Sequence, residues 1–247
     1  MKGISWEKRD EHTKRKHNIL SEYLKAWIRI TASYFPKIFI ADGFAGRGEY
    51  VNGEPGSPKI IISAACTEIG TKKCEVECFF IEIDNELFNV MEKVVNQNNT
   101  QKQKIIANFL KGNFEDKIYE VFDSMTSKEV PCFFFIDPSG FKDIDLEIMK
   151  KIGNFKRPEI LLNLQTAGIL RNLPQQKLKS KIIKVFGETL PVGAKEKDVL
   201  KKYEEIIKNK CGFKKVQHYS VSFDYVSTNM YYLIHATNNN TGFKIMK

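Results

Sequence analysis

The chain has 247 residues, 42% hydrophobic and 28% charged, enough apolar length to bury a core and too much for wholesale disorder. No apolar run is long enough to span a bilayer, the polar start lacks the apolar stretch of a signal peptide, and five scattered cysteines suit a reducing cytoplasm. The net charge of +9 is unevenly spread: from Gln175 to Lys215 there are 12 lysines against five acids, a density that either neutralises a phosphate backbone or forms a solvated helical face.

In chain order, residues 13–35 carry Ile19, Leu20, Tyr23, Leu24, Trp27 and Ile30 at three-to-four spacing, which predicts an amphipathic helix ended by Pro36. A short strand at 37–41 runs into the glycine-rich stretch from Asp42 to Gly48. After a turn-rich loop, Ser57 is placed to cap a helix to about residue 69. Strand-like runs at 76–83, 105–110, 132–136 and 160–164 then alternate with helical patterns at 85–95, 115–125 and 146–152. Such alternation implies a parallel sheet covered on both faces. Helices are expected at 177–186 and 197–210, followed by two strands at 213–223 and 230–236 joined by a short polar turn, with a further element beginning near 242–246. The expectation is a single domain over 1–247: an N-terminal helix (13–35), a ligand-binding core (37–165), a basic helical insertion (175–211) and closing strands (213–237).

Four segments carry chemistry. Asp42, Phe44, Gly46 and Gly48 form a strand-to-helix turn where glycines permit close backbone approach and free amides attract polar groups; the same residues also make an ordinary tight turn. Glu82 ends the next strand, where a carboxylate can accept from both hydroxyls of a ribose; as a site acid its loss should barely touch folding. Asp84 suits a helix cap. The interval from Asp42 to Glu82 is twice the usual spacing of roughly 20, with the 49–56 loop and the 71–75 turn absorbing the excess. Asn113 follows the third strand, as an adenine-edge contact or a helix cap. Asp137 and Pro138 follow the fourth: a carboxylate and a nearby carbonyl there can hold an exocyclic amine, and Phe141 can stack on a base, although Asp-Pro is also a plain turn.

Cys74 and Cys78 lack partners for a metal site, so none is expected. His17 either faces a ligand carboxylate or sits at the surface. In the basic insertion, Val199, Tyr203, Ile206 and Ile207 take core spacing, leaving Lys201, Lys202 and Lys208 for solvent or phosphate.

The stretch from Asp42 to Gly48 resembles motif I of class I S-adenosylmethionine-dependent methyltransferases, in the phenylalanine variant seen in several nucleic-acid base methyltransferases. More narrowly, the chain resembles the three-Cys-motif partner proteins. The pieces are Thr13 to His17 with Ile19, Leu20, Tyr23 and Leu24; Asp42 to Gly48 with Tyr50 and Gly56-Ser57-Pro58; Ile81 to Asp84; Asp137 to Gly140; and Tyr231-Tyr232-Leu233. The resemblance implies a Rossmann-like α/β fold, a mostly parallel seven-stranded sheet ending in an antiparallel pair. It also implies S-adenosylmethionine as cofactor, held by Asp42, Phe44, Gly46, Gly48, Glu82, Asn113 and His17. Asp137, Pro138 and Phe141 would handle a nucleic-acid base, and a three-Cys-motif protein is the implied companion. Asp137-Pro-Ser-Gly140 departs from the Asp-Pro-Pro-Tyr of amino methyltransferases, which keeps open a non-catalytic adaptor with the same fold.

Overall fold

Asp10 starts the first helix: its side chain accepts from the Thr13 amide at 2.7 Å, and α1 runs Glu11–Thr31. The helix stops earlier than its apolar pattern suggests because its last turn tightens, with Ser33 and Tyr34 amides reaching back three residues to Ile30 and Thr31. The computed structural model describes residues 8–125, 127–221 and 231–246. These fall into two compact units, Met1–Thr126 with Val130–Cys132 and Ser127–Glu129 with Phe133–Lys247.

In the first unit, β1 (Lys37–Asp42), α2 (Ser57–Ile69), β2 (Glu75–Glu82), α3 (Asn85–Asn98), β3 (Ile105–Lys111) and α4 (Phe114–Ser124) alternate as predicted. β1 pairs with β2 and β2 with β3, both parallel. α1 buries Leu20, Tyr23, Leu24, Trp27 and Ile28 and packs on α2, where Arg29 makes two 2.8 Å bonds to the Glu68 carboxylate. The expected cap of α2 is corrected. Gly56 is the N-cap and Ser57 the first helical residue. A Cβ on Gly56 would lie 2.9 Å from the Gly48 carbonyl, whose oxygen accepts from the Gly56 amide at 2.8 Å. Backbone approach, not a capping hydroxyl, decides that position.

The other strand order follows β4 (Cys132–Ile136), whose five residues are all buried, as a strand covered on both faces requires. In the second unit come a 3-10 turn (Phe141–Asp143), α5 (Leu146–Gly153), β5 (Pro158–Gln165), α6 (Thr166–Asn172), α7 (Lys179–Phe186), α8 (Glu196–Asn209), β6 (Lys215–Ser220), β7 (Tyr231–Thr237) and α9 (Asn240–Ile245). The seven-stranded sheet has the order β3-β2-β1-β4-β5-β7-β6, with β7 antiparallel to both β5 and β6. α6 is missed by the sequence pattern because it is only seven residues long and starts directly from β5. The predicted helix at 177–186 divides into a 3-10 turn (Gln176–Leu178) and α7, which ends at Gly187 with φ 71°. The polar turn expected between the last two strands lies outside the described residues.

α8 buries Val199, Leu200, Tyr203, Ile206 and Ile207, the four predicted core positions among them. The Tyr203 ring meets Phe186 edge-on at 5.6 Å, but its hydroxyl has no hydrogen-bond partner among the described residues. Burial pushes the Tyr203 phenol well above its ordinary pKa. An unsatisfied buried hydroxyl carries a desolvation cost of about 1–3 kcal/mol. Tyr203→Phe is therefore expected to raise the unfolding free energy by about 1 kcal/mol, measured by urea denaturation; a clear loss would mean that the hydroxyl is satisfied by bound water.

Candidate functional site

In the first unit, the loops that leave β1, β2 and β3 meet on one residue. Glu82, buried at the carboxyl end of β2, accepts from the Gly46 amide at 2.7 Å through Oε2 and from the Asp84 amide at 2.7 Å through Oε1. Its own carbonyl accepts from the Gly112 amide at 3.0 Å. The Ala45 amide donates to the Ile81 carbonyl at 2.9 Å. Glu82 thus fastens the glycine turn and the turn after β3 to the end of β2. Ile83, the next residue, is 66% exposed. The sequence reading missed it, and the only signal was an isoleucine between two acids in a run that is otherwise buried.

The glycine turn has its own logic. Gly46 and Gly48 take φ of 62° and 79°, values that side-chain-bearing residues rarely adopt. Asp42 is fully buried, and its Oδ1 accepts from the Phe44 amide at 3.2 Å. Phe44 stacks obliquely on Phe114 at 5.0 Å. Beyond the turn, Glu49 bridges to Pro55 and forms an ion pair with Lys59. This loop and α2 take up the long interval between Asp42 and Glu82.

Glu54 ties the same loop to the start of α1, accepting from the Arg9 amide at 3.0 Å and from Asn52 at 2.8 Å. Asn52, the Arg9 amide and the nearby guanidinium lower its carboxyl pKa to about 2.

Asp84 caps α3 through the Glu86 and Leu87 amides, as expected. Asn113 is the N-cap of α4. Its Oδ1 accepts from the Asp116 amide at 2.9 Å and its Nδ2 donates to the Asp116 carboxylate at 2.6 Å. The capping alternative therefore describes its present bonds. His17 is only 5% exposed, on the inner side of α1, so the surface alternative fails.

In the second unit, Asp137 and Pro138 follow β4 and are held by two amide side chains on β5. Asn163 Nδ2 donates to Asp137 Oδ1 at 2.7 Å, and Gln165 Nε2 donates to the Pro138 carbonyl at 3.2 Å. These two are further residues missed in the sequence. They stand two apart at the end of a strand whose middle, Ile160 to Leu162, is apolar, so they share one face, and that alternation was the available signal. Asn163 is 2% exposed. Phe141, expected to stack on a base, is 3% exposed and lies against Gly168 of α6, so it presents almost no free ring surface.

The three predicted phosphate-binding lysines sit on α8. Lys201 and Lys208 are exposed. Lys202 pairs with Glu188 at 3.0 Å, which Lys210 also approaches at 3.3 Å. Among the described residues no group of three or more His, Cys, Asp or Glu could hold a metal, and no helix is long and apolar enough to cross a membrane.

No protein-family model matches the chain, and a search of curated proteins returns no match. Solved structures do resemble it. Trm1 from Pyrococcus horikoshii, in complex with S-adenosyl-L-methionine, superposes with a TM-score of 0.54 at 10% identity, over 99% of this chain and 60% of that one. TYW2 of M. jannaschii, in complex with AdoMet, gives 0.47 at 11% identity, over 93% and 76%. A spermidine synthase from Thermotoga maritima gives 0.47 at 11% identity, over 96% and 63%. The chain thus spans well under two thirds of Trm1. The Trm1 superposition and the observed strand order, with its antiparallel penultimate strand, give this chain the Rossmann-like α/β fold of class I methyltransferases.

Proposed function

We propose that the chain binds S-adenosylmethionine and methylates a nucleic-acid base. The observation that carries this reading is the Glu82 hub, which fixes a glycine turn and a carboxylate at one sheet edge beside the exposed Ile83. The residues fit a nucleoside with a charged tail. Each Glu82 oxygen uses one lone pair on the backbone and has another for a ribose hydroxyl. Ile83 offers apolar surface to a purine, Asn113 lies at the end of β3 for its edge, and the Asp42–Gly48 turn receives the polar tail. His17 belongs to the proposed cofactor set through its place on α1. Trm1, solved in complex with S-adenosyl-L-methionine, supports the choice of cofactor.

When bound, S-adenosylmethionine supplies a methyl group activated by the sulfonium charge. The chain's own part is positioning. Asn163 fixes the Asp137 carboxylate, which orients the acceptor and polarises its N–H, while Gln165 and Pro138 keep the turn in one conformation. The finer kinship, to the three-Cys-motif partner proteins, and a three-Cys-motif companion belong to this proposal and rest on the motif pieces quoted above. A second reading has a specific observation behind it. The Pro138 carbonyl is already engaged by Gln165 and Phe141 is buried, as would suit an adaptor that keeps the cofactor pocket without transfer.

The test is a calorimetric titration with S-adenosylmethionine and its demethylated product, followed by labelled-methyl transfer to total DNA and RNA. Binding with transfer supports the enzyme. Binding without transfer supports the adaptor, and no binding removes both.

A further inference from the structure

The lysine-rich segment singled out in the sequence is not uniformly basic once it is divided into its elements. α8 carries Lys197, Lys201, Lys202 and Lys208 against Glu196, Asp198, Glu204 and Glu205, so the helix is neutral overall. The imbalance lies before it. From Ile160 to Gly187 the chain contains no aspartate or glutamate, yet it holds Arg171, Lys177, Lys179, Lys181 and Lys184. Lys184 pairs with Asp145 at 3.5 Å. Arg171, Lys177, Lys179 and Lys181 are all exposed, and among the described residues none of the four lies within ion-pair distance of a carboxylate.

Their place in the fold gives the patch a direction. α6 leaves β5 directly after Gln165, the residue bonded to the Pro138 carbonyl. Gly168 of α6 lies against Phe141, and α7 packs on the 3-10 turn that Phe141 begins. Arg171 sits on α6, Lys177 on the 3-10 turn before α7, and Lys179 and Lys181 on α7, so the four cations lie along the segment that flanks the Asp137–Pro138 turn. α7 turns Ile182, Val185 and Phe186 inward at 3% exposure or less and leaves Ile183 as its one exposed apolar residue, at 40%. It has no broad apolar face to insert into a bilayer, so a membrane surface fits poorly.

We propose that Arg171, Lys177, Lys179 and Lys181 form the phosphate-binding strip that holds a nucleic-acid backbone beside the Asp137–Pro138 turn. Unpaired cations that release counterions from phosphates bind without sequence preference and lead the strand toward the acceptor turn. This rests on the proposal that the acceptor is a nucleic-acid base, and it takes the footprint away from the balanced surface of α8.

The experiment compares three full-length proteins: wild type, a variant with Arg171, Lys177, Lys179 and Lys181 all changed to Gln, and a variant carrying Lys197→Gln, Lys201→Gln and Lys208→Gln. Each is titrated across salt against a short labelled single strand of mixed sequence, as RNA and as DNA. Vesicles of phosphatidylcholine with phosphatidylserine serve as a separate arm, and thermal unfolding checks each fold. The four-residue variant should bind either strand at least about tenfold more weakly, with a log–log salt slope smaller by about three, near 0.7 per lost contact on a single strand. The α8 variant should stay within about threefold of wild type. An unchanged slope in the four-residue variant, an equal loss in the α8 variant, no strand binding by wild type, or vesicle binding in preference to the strands would overturn the strip. Calorimetry with S-adenosylmethionine on the same proteins separates the two proposals. A strip that fails leaves cofactor binding intact, and strand binding that depends on these four residues stands even where the cofactor does not bind.

Discussion

Glu82→Ala is expected to cost the chain its cofactor and part of its stability together. Three bonds converge on this residue, two of them on the carboxylate at 2.7 Å. The Asp84 amide is at an exposed position and can turn to water, but Gly46 is buried. Leaving that amide without an acceptor costs about 1–3 kcal/mol, so the view that a site acid is indifferent to folding does not hold here. Two charge-assisted bonds to a ribose add about 2–4 kcal/mol of binding, or about thirtyfold to a thousandfold in affinity. Calorimetry reads the second effect and urea denaturation the first. Glu82→Gln should fall between, because its amide oxygen replaces one acceptor while its NH2 group faces a backbone donor. If the alanine variant unfolds earlier yet binds cofactor as wild type does, Glu82 is a staple of the turn and not part of the ligand site.

Asp137→Ala should lower methyl transfer by a factor of about 10²–10⁴, the range associated with a positioned acid–base group. Cofactor affinity should stay within a few-fold. The bond from Asn163 complicates the alanine variant, since removing the carboxylate leaves a 2% exposed side-chain amide without its acceptor. Asp137→Asn is the cleaner partner. Its carbonyl can still accept from Asn163, so the fold should survive while the charge is gone. Full transfer in Asp137→Asn would show that orientation is enough and that the carboxylate's charge contributes nothing to the step.

The sheet was legible because its strands are apolar runs set between helices with separate stripes: residues 132–136 read directly as β4, and 85–95 became the first three turns of α3. The helix start at Gly56 was not legible, since the deciding contact is with Gly48 across a loop. The candidate site was read as a set of ligand-facing residues, but its internal bonds were not. That Glu82 serves the backbone as well as a possible ribose follows from how β1 and β2 are aligned, with Asp42 opposite Phe80. Asn113 and Phe141, expected to meet a ligand, are occupied in the structure, one by Asp116 and one by packing on Gly168. Charge was the least legible feature. A count over residues 175–215 cannot see that Glu188 holds both Lys202 and Lys210, nor that α8 is balanced.

The bond from Arg9 to Glu54 joins positions 45 apart in sequence, and the whole of α1, β1 and the glycine turn lies between them. That bond makes the segment a closed ring of chain. The entropy cost of closing such a ring grows only slowly with its length. With its carboxyl pKa lowered to about 2, Glu54 contributes fully above the ordinary carboxylate range and loses that contribution progressively as the pH falls from there through about 2. A chain cut just after Arg9 would retain Asp42, Gly46, Gly48 and Glu82, but its ring would be open, and the turn would have to order itself from a loop held at one end.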